Sequence, residues 1–130
     1  TGFQVSSWRP HTNIIVFTSN KRILSRLSLL WGVKAFYYNR SVSTDKTIDE
    51  INKCISFINE SIQSGNKVYI HCLRGLGRTG MIVGCFLVDQ GLTGKQALKK
   101  ITDLRKSLLN SVLPSPQNKK QSGVVENWKS

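Results

Sequence analysis

The fold of this chain is decided by residues 67–80, which read Lys67-Val68-Tyr69-Ile70-His71-Cys72-Leu73-Arg74-Gly75-Leu76-Gly77-Arg78-Thr79-Gly80. The first five residues form a short run with β-branched and aromatic side chains, which is typical of a strand. A glycine-rich bend follows, and after it comes an apolar run of helical length, Met81 to Val88. The sequence therefore predicts strand, loop and helix in that order.

A glycine-rich loop that leads into a helix is suited to bind an anion. Its backbone N–H groups converge on one point, and the helix dipole adds positive potential there. Glycines allow the positive φ angles and the close approach that such a loop requires. We expect a phosphate-sized anion to contact the loop residues Leu73, Arg74, Gly75, Leu76, Gly77 and Arg78.

The side chains around this loop have the chemistry of phosphoryl transfer. The positive potential favours the thiolate form of Cys72, which would make it a nucleophile. Arg78 has a planar fork of donors that can hold two oxygens of a phosphoryl group. Thr79 can donate its hydroxyl to the sulfur and make the sulfur a better leaving group. We expect His71 to orient the loop and to support the thiolate.

The pattern His-Cys, five residues, Arg-Thr resembles the signature loop of the cysteine-based protein tyrosine phosphatases, and their small dual-specificity members above all. Residues from about 57 to 128 resemble these enzymes throughout. The resemblance implies hydrolysis of a phosphomonoester through a cysteinyl-phosphate on Cys72, with no metal and no cofactor. Gln121 matches a glutamine that some of these enzymes place near the nucleophilic water. The alternative for Gln121 is an ordinary surface position on a helix.

The same resemblance implies a general-acid aspartate just after the strand that precedes the long helix. At that place the chain reads Asn39-Arg40-Ser41, and Asp45 is the nearest carboxylate in the sequence. Asp45 is therefore either the general acid or only a cap of the helix that follows. Because a positioned acid contributes about 10²–10⁴-fold to a rate, its absence predicts a slow enzyme.

Residues from about 9 to 50 resemble a second family, the C-terminal domain of bacterial pyruvate kinases. The resemblance rests on three segments: Arg9-Pro-His-Thr-Asn-Ile-Ile-Val-Phe-Thr18-Ser-Asn20, Leu27-Ser-Leu-Leu-Trp-Gly-Val33 and Ser43-Thr44-Asp45. In that family the segment is a regulatory α/β domain, and a loop matching Thr18, Ser19 and Asn20 can hold a phosphate. The alternative is a strand-to-helix turn with an N-cap.

Together the two resemblances predict a composite chain, engineered or recombined. Its first half, about residues 1–50, would be similar to the pyruvate kinase domain, and its second half, about residues 57–130, to the phosphatases. Both parent families have α/β folds, so the two halves could share one sheet.

The remaining patterns predict an α/β fold. Residues 14–18 and 33–38 read as strands joined by a helix at 21–31, which makes the pair parallel. A helix at 47–63 then leads to the strand at 67. We expect a three-layer sandwich with a small, mainly parallel sheet of order 2-1-3 and helices on both sides. Residues 1–13 are expected to be irregular, and Ser115 is expected to cap the last helix.

Length and cysteine content add further expectations. At 130 residues the chain is expected to be a single domain, residues 1–130, and a monomer. It has no apolar run long enough to cross a bilayer and no signal-like start, so a cytoplasmic protein without a membrane partner is expected. Three cysteines form no disulfide framework. Cys54 lies near the apolar positions of the helix at 47–63 and is expected to be a small core residue, the alternative being a redox partner of Cys72. Cys85 is also expected in the core.

The chain is strongly basic. It has 19 Lys and Arg against 7 Asp and Glu, a formal net charge of +12 at pH 7. We interpret this charge as a solvated surface that attracts anionic substrates, such as a phosphorylated protein. A nucleic-acid partner is not favoured, because no RNA-recognition or zinc signature accompanies the charge. Two alternatives to a protein phosphatase stay open: an RNA 5′-phosphatase, and a module that binds phosphate or sulfate with negligible turnover.

Overall fold

The computed structural model describes residues 2–7, 11–37, 44–108 and 111–129. The chain divides into two compact units, Thr1–Leu73 and Arg74–Ser130. The first unit contains the sheet and the second is helical. Whether the two act as the single domain predicted above stays a prediction.

The first unit has an α/β architecture with a parallel sheet. Its three strands lie in the order β2-β1-β3, and both neighbouring pairs are parallel. The predicted fold class and strand order are therefore confirmed. In chain order the elements are α1 (Gly2–Ser7), β1 (Thr12–Thr18), α2 (Lys21–Leu27), β2 (Val33–Tyr37), α3 (Thr44–Gln63) and β3 (Lys67–His71).

Strand β1 is the centre of the sheet. Ile14 and Ile15 are both fully buried, and successive strand residues point to opposite faces, so both faces of β1 are covered. Val16 is opposite Ala35 of β2 on one side and His71 of β3 on the other. His71 is thus the last residue of β3, and Cys72 directly follows the strand as predicted.

The turn from β1 to α2 is an N-cap. The Asn20 side chain accepts hydrogen bonds from the N–H groups of Arg22 and Ile23, at 3.0 and 3.4 Å. The Thr18 hydroxyl accepts from the N–H of Asn20, at 3.1 Å. The groups that would hold a phosphate here are therefore used to start the helix, which favours the N-cap over a phosphate-binding loop.

Two predictions about the first half were wrong. Residues 2–7 form helix α1, where irregular chain was expected, and the Ser6 hydroxyl donates to the carbonyl of Trp31 at 2.8 Å. This long-range contact leaves no trace in the local sequence. Helix α2 ends at Leu27 rather than Trp31, and Trp31 is 49% exposed.

Helix α3 carries an apolar stripe on most of its length. Ile51, Ile55 and Ile58 are buried, whereas Ile62 is 49% exposed near the C-terminus of the helix. The helix ends as predicted at Gln63, and Gly65, two residues further on, has φ +77°. The backbone N–H of Gly65 donates to the carbonyl of Ile62, and the next N–H donates to Ser61, as in a Schellman motif.

The described residues of the second unit form three helices, α4 (Gly77–Asp89), α5 (Gly94–Arg105) and α6 (Lys119–Glu126). Helix α6 lies close to α4 at Gly84, where an added Cβ would be 2.6 Å from a methyl carbon of Val125. Helix α5 begins with a capping box, in which Thr93 and Gln96 exchange side-chain and backbone hydrogen bonds.

The start of the last helix was predicted wrongly. Helix α6 begins at Lys119, and its N-cap is Asn118, whose side chain accepts from the N–H of Gln121 at 3.0 Å. Ser115 does not cap it, because the Ser115 hydroxyl donates to the carbonyl of Leu76 instead, at 2.8 Å. The Ser115–Pro116 peptide bond is cis.

The three cysteines lie within the described residues, form no disulfide bond with one another and are all buried. Cys54 and Cys85 are fully buried, which confirms the prediction that they are core residues. Among the helices that the structure describes, none combines the length and the apolarity that a bilayer crossing requires.

Candidate active site

The nucleophile of the predicted site lies at the C-terminal end of β3. Cys72 and His71 are each 7% exposed. The His71 Nδ1 lies 3.2 Å from the carbonyl oxygen of Cys72, and since a carbonyl can only accept, Nδ1 carries the proton in this contact. His71 therefore holds the backbone of the nucleophile, which fits its predicted role in orienting the loop.

The environment of His71 keeps its ring neutral. Burial lowers the pKa of His71 below its usual 6.5, and the hydrogen bond to Cys72 opposes this shift only in part. Within the described residues, the buried Nε2 has no hydrogen-bond partner. A charged imidazolium at this position would be poorly solvated, so His71 is suited to a structural role rather than to proton transfer.

The loop that follows changes from exposed to buried along its length. Leu73 is 83% exposed, whereas Leu76 is only 3% exposed. Gly75 has φ +68°, a backbone conformation that other residues rarely adopt, so this glycine meets the predicted conformational need. Gly77 is not among the residues with positive φ. Its need for glycine comes from close approach alone.

Helix α4 begins at the end of the loop without a side-chain cap. Its N-cap residue is Leu76, and no side chain in the described part of the chain caps the helix there. The first backbone N–H groups of an α-helix have no carbonyl partner within the helix. With the dipole behind them, they are suited to bind an anion, as the sequence predicted.

A segment from the far end of the second unit packs against this loop. The Gln121 side chain is half-buried, and a Cβ at Gly77 would lie 2.9 Å from its amide nitrogen and oxygen. The Gln121 amide oxygen accepts from the N–H of Gln117, at 3.2 Å. Gln121 therefore lies beside Gly77, and its role near the nucleophilic water stays a prediction.

Ser115 contacts the loop, and the sequence did not predict this contact. Its hydroxyl donates to Leu76 across 39 positions of the chain, and a Cβ at Gly80 would collide with its oxygen. Beside Pro116 the residue has the local signature of an N-cap, which hid this role. The one hint in the sequence is that position 80 is a glycine, which leaves room for Ser115 beside it.

Thr79 and Arg78 lie in the first turn of α4 and are both half-buried. The Thr79 hydroxyl is buried and has no hydrogen-bond partner among the residues that the structure describes. Such an orphan donor is costly unless a ligand or a reaction partner uses it. Its predicted donation to the sulfur of Cys72, and the predicted contact of Arg78 with two oxygens of a phosphoryl group, stay predictions.

The general acid of the site stays a prediction. Asp45 belongs to the first turn of α3, which begins at Thr44, three residues earlier than predicted. Asp45 therefore lies within the helix rather than before it; its side chain, and residues 39–41, lie outside what the structure describes. Elsewhere in the described ranges, no three His, Cys, Asp or Glu side chains cluster as metal ligands would.

The comparison with known families decides what kind of domain carries this geometry. The model of the dual specificity phosphatase catalytic domain matches residues 20–117. The chain belongs to the dual specificity phosphatase family. The matched residues include the whole loop and also residues 20–50, which lie in the segment predicted to be similar to the pyruvate kinase domain. The composite origin of the chain therefore stays a prediction.

Individual phosphatases are similar to the chain over different lengths. Dual specificity protein phosphatase 1B of Arabidopsis thaliana is 34% identical over 73 residues, which cover 56% of this chain and 41% of that protein. Putative tyrosine phosphatase 123R of Invertebrate iridescent virus 6 is 24% identical over 81% of this chain and 72% of its own length. Putative tyrosine-protein phosphatase R622 of Acanthamoeba polyphaga mimivirus is 28% identical, and the chain spans 45% of it.

Solved phosphatase structures share the fold. The crystal structure of Tk-PTP in the active form has a TM-score of 0.70 at 18% identity and covers 99% of this chain and 86% of that chain. Kinase associated phosphatase, with its catalytic cysteine changed to serine, has a TM-score of 0.65 at 16% identity and covers 98% of this chain and 73% of that chain. Both confirm the α/β architecture of this phosphatase family member.

Proposed function

We propose that the protein hydrolyses phosphomonoesters on phosphorylated proteins through a cysteinyl-phosphate intermediate. The observation that carries the proposal is the N-terminus of α4, which no side chain of the described residues caps and which directly follows a glycine-rich loop that starts at Cys72. A dianionic phosphoryl group supplies the charge that such a terminus stabilises. Membership of the dual specificity phosphatase family supports the same reaction.

In the first step the Cys72 thiolate attacks phosphorus. The new phosphorus–sulfur bond forms as the bond to the leaving oxygen breaks, and the leaving oxygen takes a proton from water or from an acid. Arg78 and the loop N–H groups hold the equatorial oxygens, on which the negative charge is concentrated. The five intervening residues are few enough for both ends of the loop to contact one phosphoryl group.

In the second step water attacks the phosphorus and the sulfur leaves as a thiolate. The buried Thr79 hydroxyl is proposed to donate to the departing sulfur, which would satisfy its unused donor. Gln121, whose amide lies against Gly77, is proposed to orient the attacking water. The proton of that water passes to solvent, and inorganic phosphate is released.

The rate is proposed to depend on the leaving group. Asn39-Arg40-Ser41 supplies no carboxylate at the position where the family's general acid is expected. An aryl leaving group departs with little help, whereas an alkyl alcohol needs a proton as its bond breaks. We therefore propose a slow enzyme that prefers phosphotyrosine-like esters.

Trapping of phosphate on Cys72 tests the proposal. Rapid quench of the protein with an aryl phosphate should yield one phosphate on the peptide that contains Cys72, without added metal. Cys72→Ser should abolish the covalent species, and Arg78→Lys should remove most of the activity, because an ammonium cannot form the bidentate contact. A protein that binds phosphate but never forms the covalent species would be only a binding module. Retention of the full rate by Cys72→Ser would refute the nucleophile.

The setting of the protein is also a proposal. A reactive thiolate needs a reducing compartment, which supports a cytoplasmic protein. We propose that the protein acts as a monomer. We also propose that residues 9–50 descend from a pyruvate kinase domain; the N-cap at Asn20 then replaces the effector loop of that family.

A further inference from the structure

The peptide unit between Leu76 and Gly77 accepts a hydrogen bond from Ser115, which is far away in the sequence. The carbonyl of Leu76 accepts two hydrogen bonds, from the Ser115 hydroxyl at 2.8 Å and from the N–H of Gly80 at 3.2 Å. The bond from Gly80 is the first helical hydrogen bond of α4. The bond from Ser115 uses the second lone pair of the same oxygen.

The direction of this carbonyl fixes the direction of the next N–H group. The carbonyl of Leu76 points along α4 toward its C-terminus, because it accepts from Gly80. In a planar trans peptide the N–H of Gly77 points the opposite way, out of the N-terminal end of the helix. That is the end at which an anion binds. Ser115 thus acts on one side of the peptide plane and the anion site lies on the other.

Glycines near this contact leave room for Ser115 and for the residues that follow it. A Cβ at Gly80 would collide with the Ser115 oxygen and would lie 3.1 Å from the backbone nitrogen of Pro116. Six residues further along, the Gln121 amide occupies the space beside Gly77. Two glycines of the loop and helix thus make room for one segment, residues 115–121.

We propose that Ser115 is a positioning residue that holds the Leu76–Gly77 peptide plane so that the N–H of Gly77 stays directed at the bound phosphoryl group. Gly77 has no side chain to restrict rotation of this plane. A rotated plane would present the carbonyl oxygen to the anion, and repulsion would replace a hydrogen bond. The proposal rests on the proposed phosphatase function, because it gives Ser115 a role in binding the same phosphoryl group.

The size of the effect follows from what remains when the hydroxyl is lost. Outright removal of one oxyanion donor costs about 10²–10³-fold in rate. In Ser115→Ala the hydrogen bond from Gly80 still favours the correct plane. We therefore expect a smaller loss, on the order of tenfold, in both kcat/KM and phosphate affinity.

The experiment compares Ser115→Ala with Ser115→Thr, which keeps a hydroxyl. Inorganic phosphate binding is measured by calorimetry, turnover with an aryl phosphate, and stability by thermal unfolding. The matched control is Thr102→Ala, which removes another hydroxyl-to-carbonyl bond of the second unit, from Thr102 to Leu98 at 3.1 Å, on an exposed face. Ser115→Ala should lose phosphate affinity and kcat/KM, Ser115→Thr should recover both, and Thr102→Ala should change neither.

The outcomes separate this proposal from the proposed function. If wild type turns over and Ser115→Ala matches it in phosphate affinity and kcat/KM, Ser115 is not a positioning residue although the function stands. If wild type binds phosphate without turnover, the function fails, but the affinities of the variants still decide the role of Ser115. Should Ser115→Ala not fold, Ser115→Cys takes its place, with the same loss expected because a thiol is a weak donor. Equal affinity in Ser115→Cys and wild type would overturn the proposal.

Discussion

The three cysteines of the chain have different environments. Burial raises the pKa of Cys54 to about 12, and the charge of Glu50 adds to the shift. Burial also raises the pKa of Cys85 to about 12. These two thiols stay protonated at neutral pH and are poor nucleophiles. Cys72 instead follows β3 and begins the loop that leads to the positive end of a helix dipole.

Alkylation should therefore be selective. We expect iodoacetamide at pH 7 to modify Cys72 in the folded protein and to spare Cys54 and Cys85, with activity lost in proportion. Peptide mapping by mass spectrometry measures the three sites separately. Bound phosphate should protect Cys72, and unfolding in urea should expose all three. Equal modification of Cys54 in the folded state would contradict its burial.

Asp45 can be tested by the choice of substrate. Because Asp45 lies in the first turn of α3 and not before it, we expect Asp45→Asn to leave the rates on an aryl phosphate and on phosphoserine unchanged within about twofold, far below the effect of losing a general acid. The comparison requires steady-state rates on both substrates with the two proteins at equal concentration. A loss of at least about tenfold on phosphoserine alone would instead identify Asp45 as the acid.

The residues proposed to carry the chemistry can be recognised in the sequence because they lie close together in it. The spacing of Cys72 and Arg78 and the glycines between them indicate an anion loop without any knowledge of the rest of the chain. Ser115 was not predictable. Its partner Leu76 is 39 positions away, and local patterns do not encode such a contact.

At the scale of elements, helix contacts depend on where glycines allow close approach. Gly84 of α4 faces Val125 of α6 with no space for a side chain, whereas a Cβ at Gly123 would meet nothing within 4 Å. The same change, glycine to alanine, should therefore have opposite effects at the two positions. At Gly84 the added methyl group overpacks the contact with Val125 and lowers stability. At Gly123 it removes only the entropic cost of a glycine in a helix and raises stability.

We expect Gly84→Ala to lower the free energy of unfolding by about 1–3 kcal/mol, as overpacked sites do. Gly123→Ala should raise it by about 0.5–1 kcal/mol. Urea denaturation followed by circular dichroism measures both. A double-mutant cycle with Val125→Ala should recover part of the loss at Gly84. A neutral Gly84→Ala would mean that α4 and α6 can separate at little cost.

Element types were more predictable than their ends. The parallel order of the strands follows from a helix between the first two and an apolar run at each strand. Helix α2 stops early because Ser28 and the residues after it form turns, which hydrophobic spacing alone does not reveal. Helix α1 is short, and tertiary contacts such as that of Ser6 with Trp31 stabilise it more than its own sequence does.

At the scale of the whole molecule, buried titratable groups set a pH range of maximum stability. Below about pH 6.5 the unfolded chain binds a proton at His71 that the folded chain resists, so stability falls as the pH falls. Above about pH 9 the unfolded chain loses protons from Cys54 and Cys85 that the folded chain retains to about pH 12, so stability falls as the pH rises.

We therefore expect the free energy of unfolding to be greatest between about pH 6.5 and 9, the ordinary pKa values of these groups. Urea denaturation at steps from pH 5 to pH 10 tests this range. His71→Asn, which keeps a donor for the carbonyl of Cys72, should flatten the acid side. Cys85→Ala should make the free energy of unfolding fall less steeply as the pH rises above about 9. An unchanged acid slope in His71→Asn would assign that loss to other groups.

The missing cap at Leu76 links the stability of the protein to its buffer. If phosphate completes the first turn of α4, then the product of the proposed reaction also holds the helix together. A ligand that binds only the folded form adds about 2.7 kcal/mol to stability at 100 times its Kd. Phosphate buffer would then preserve the protein in storage and slow it in an assay, so that its most stable preparation would be its least active one.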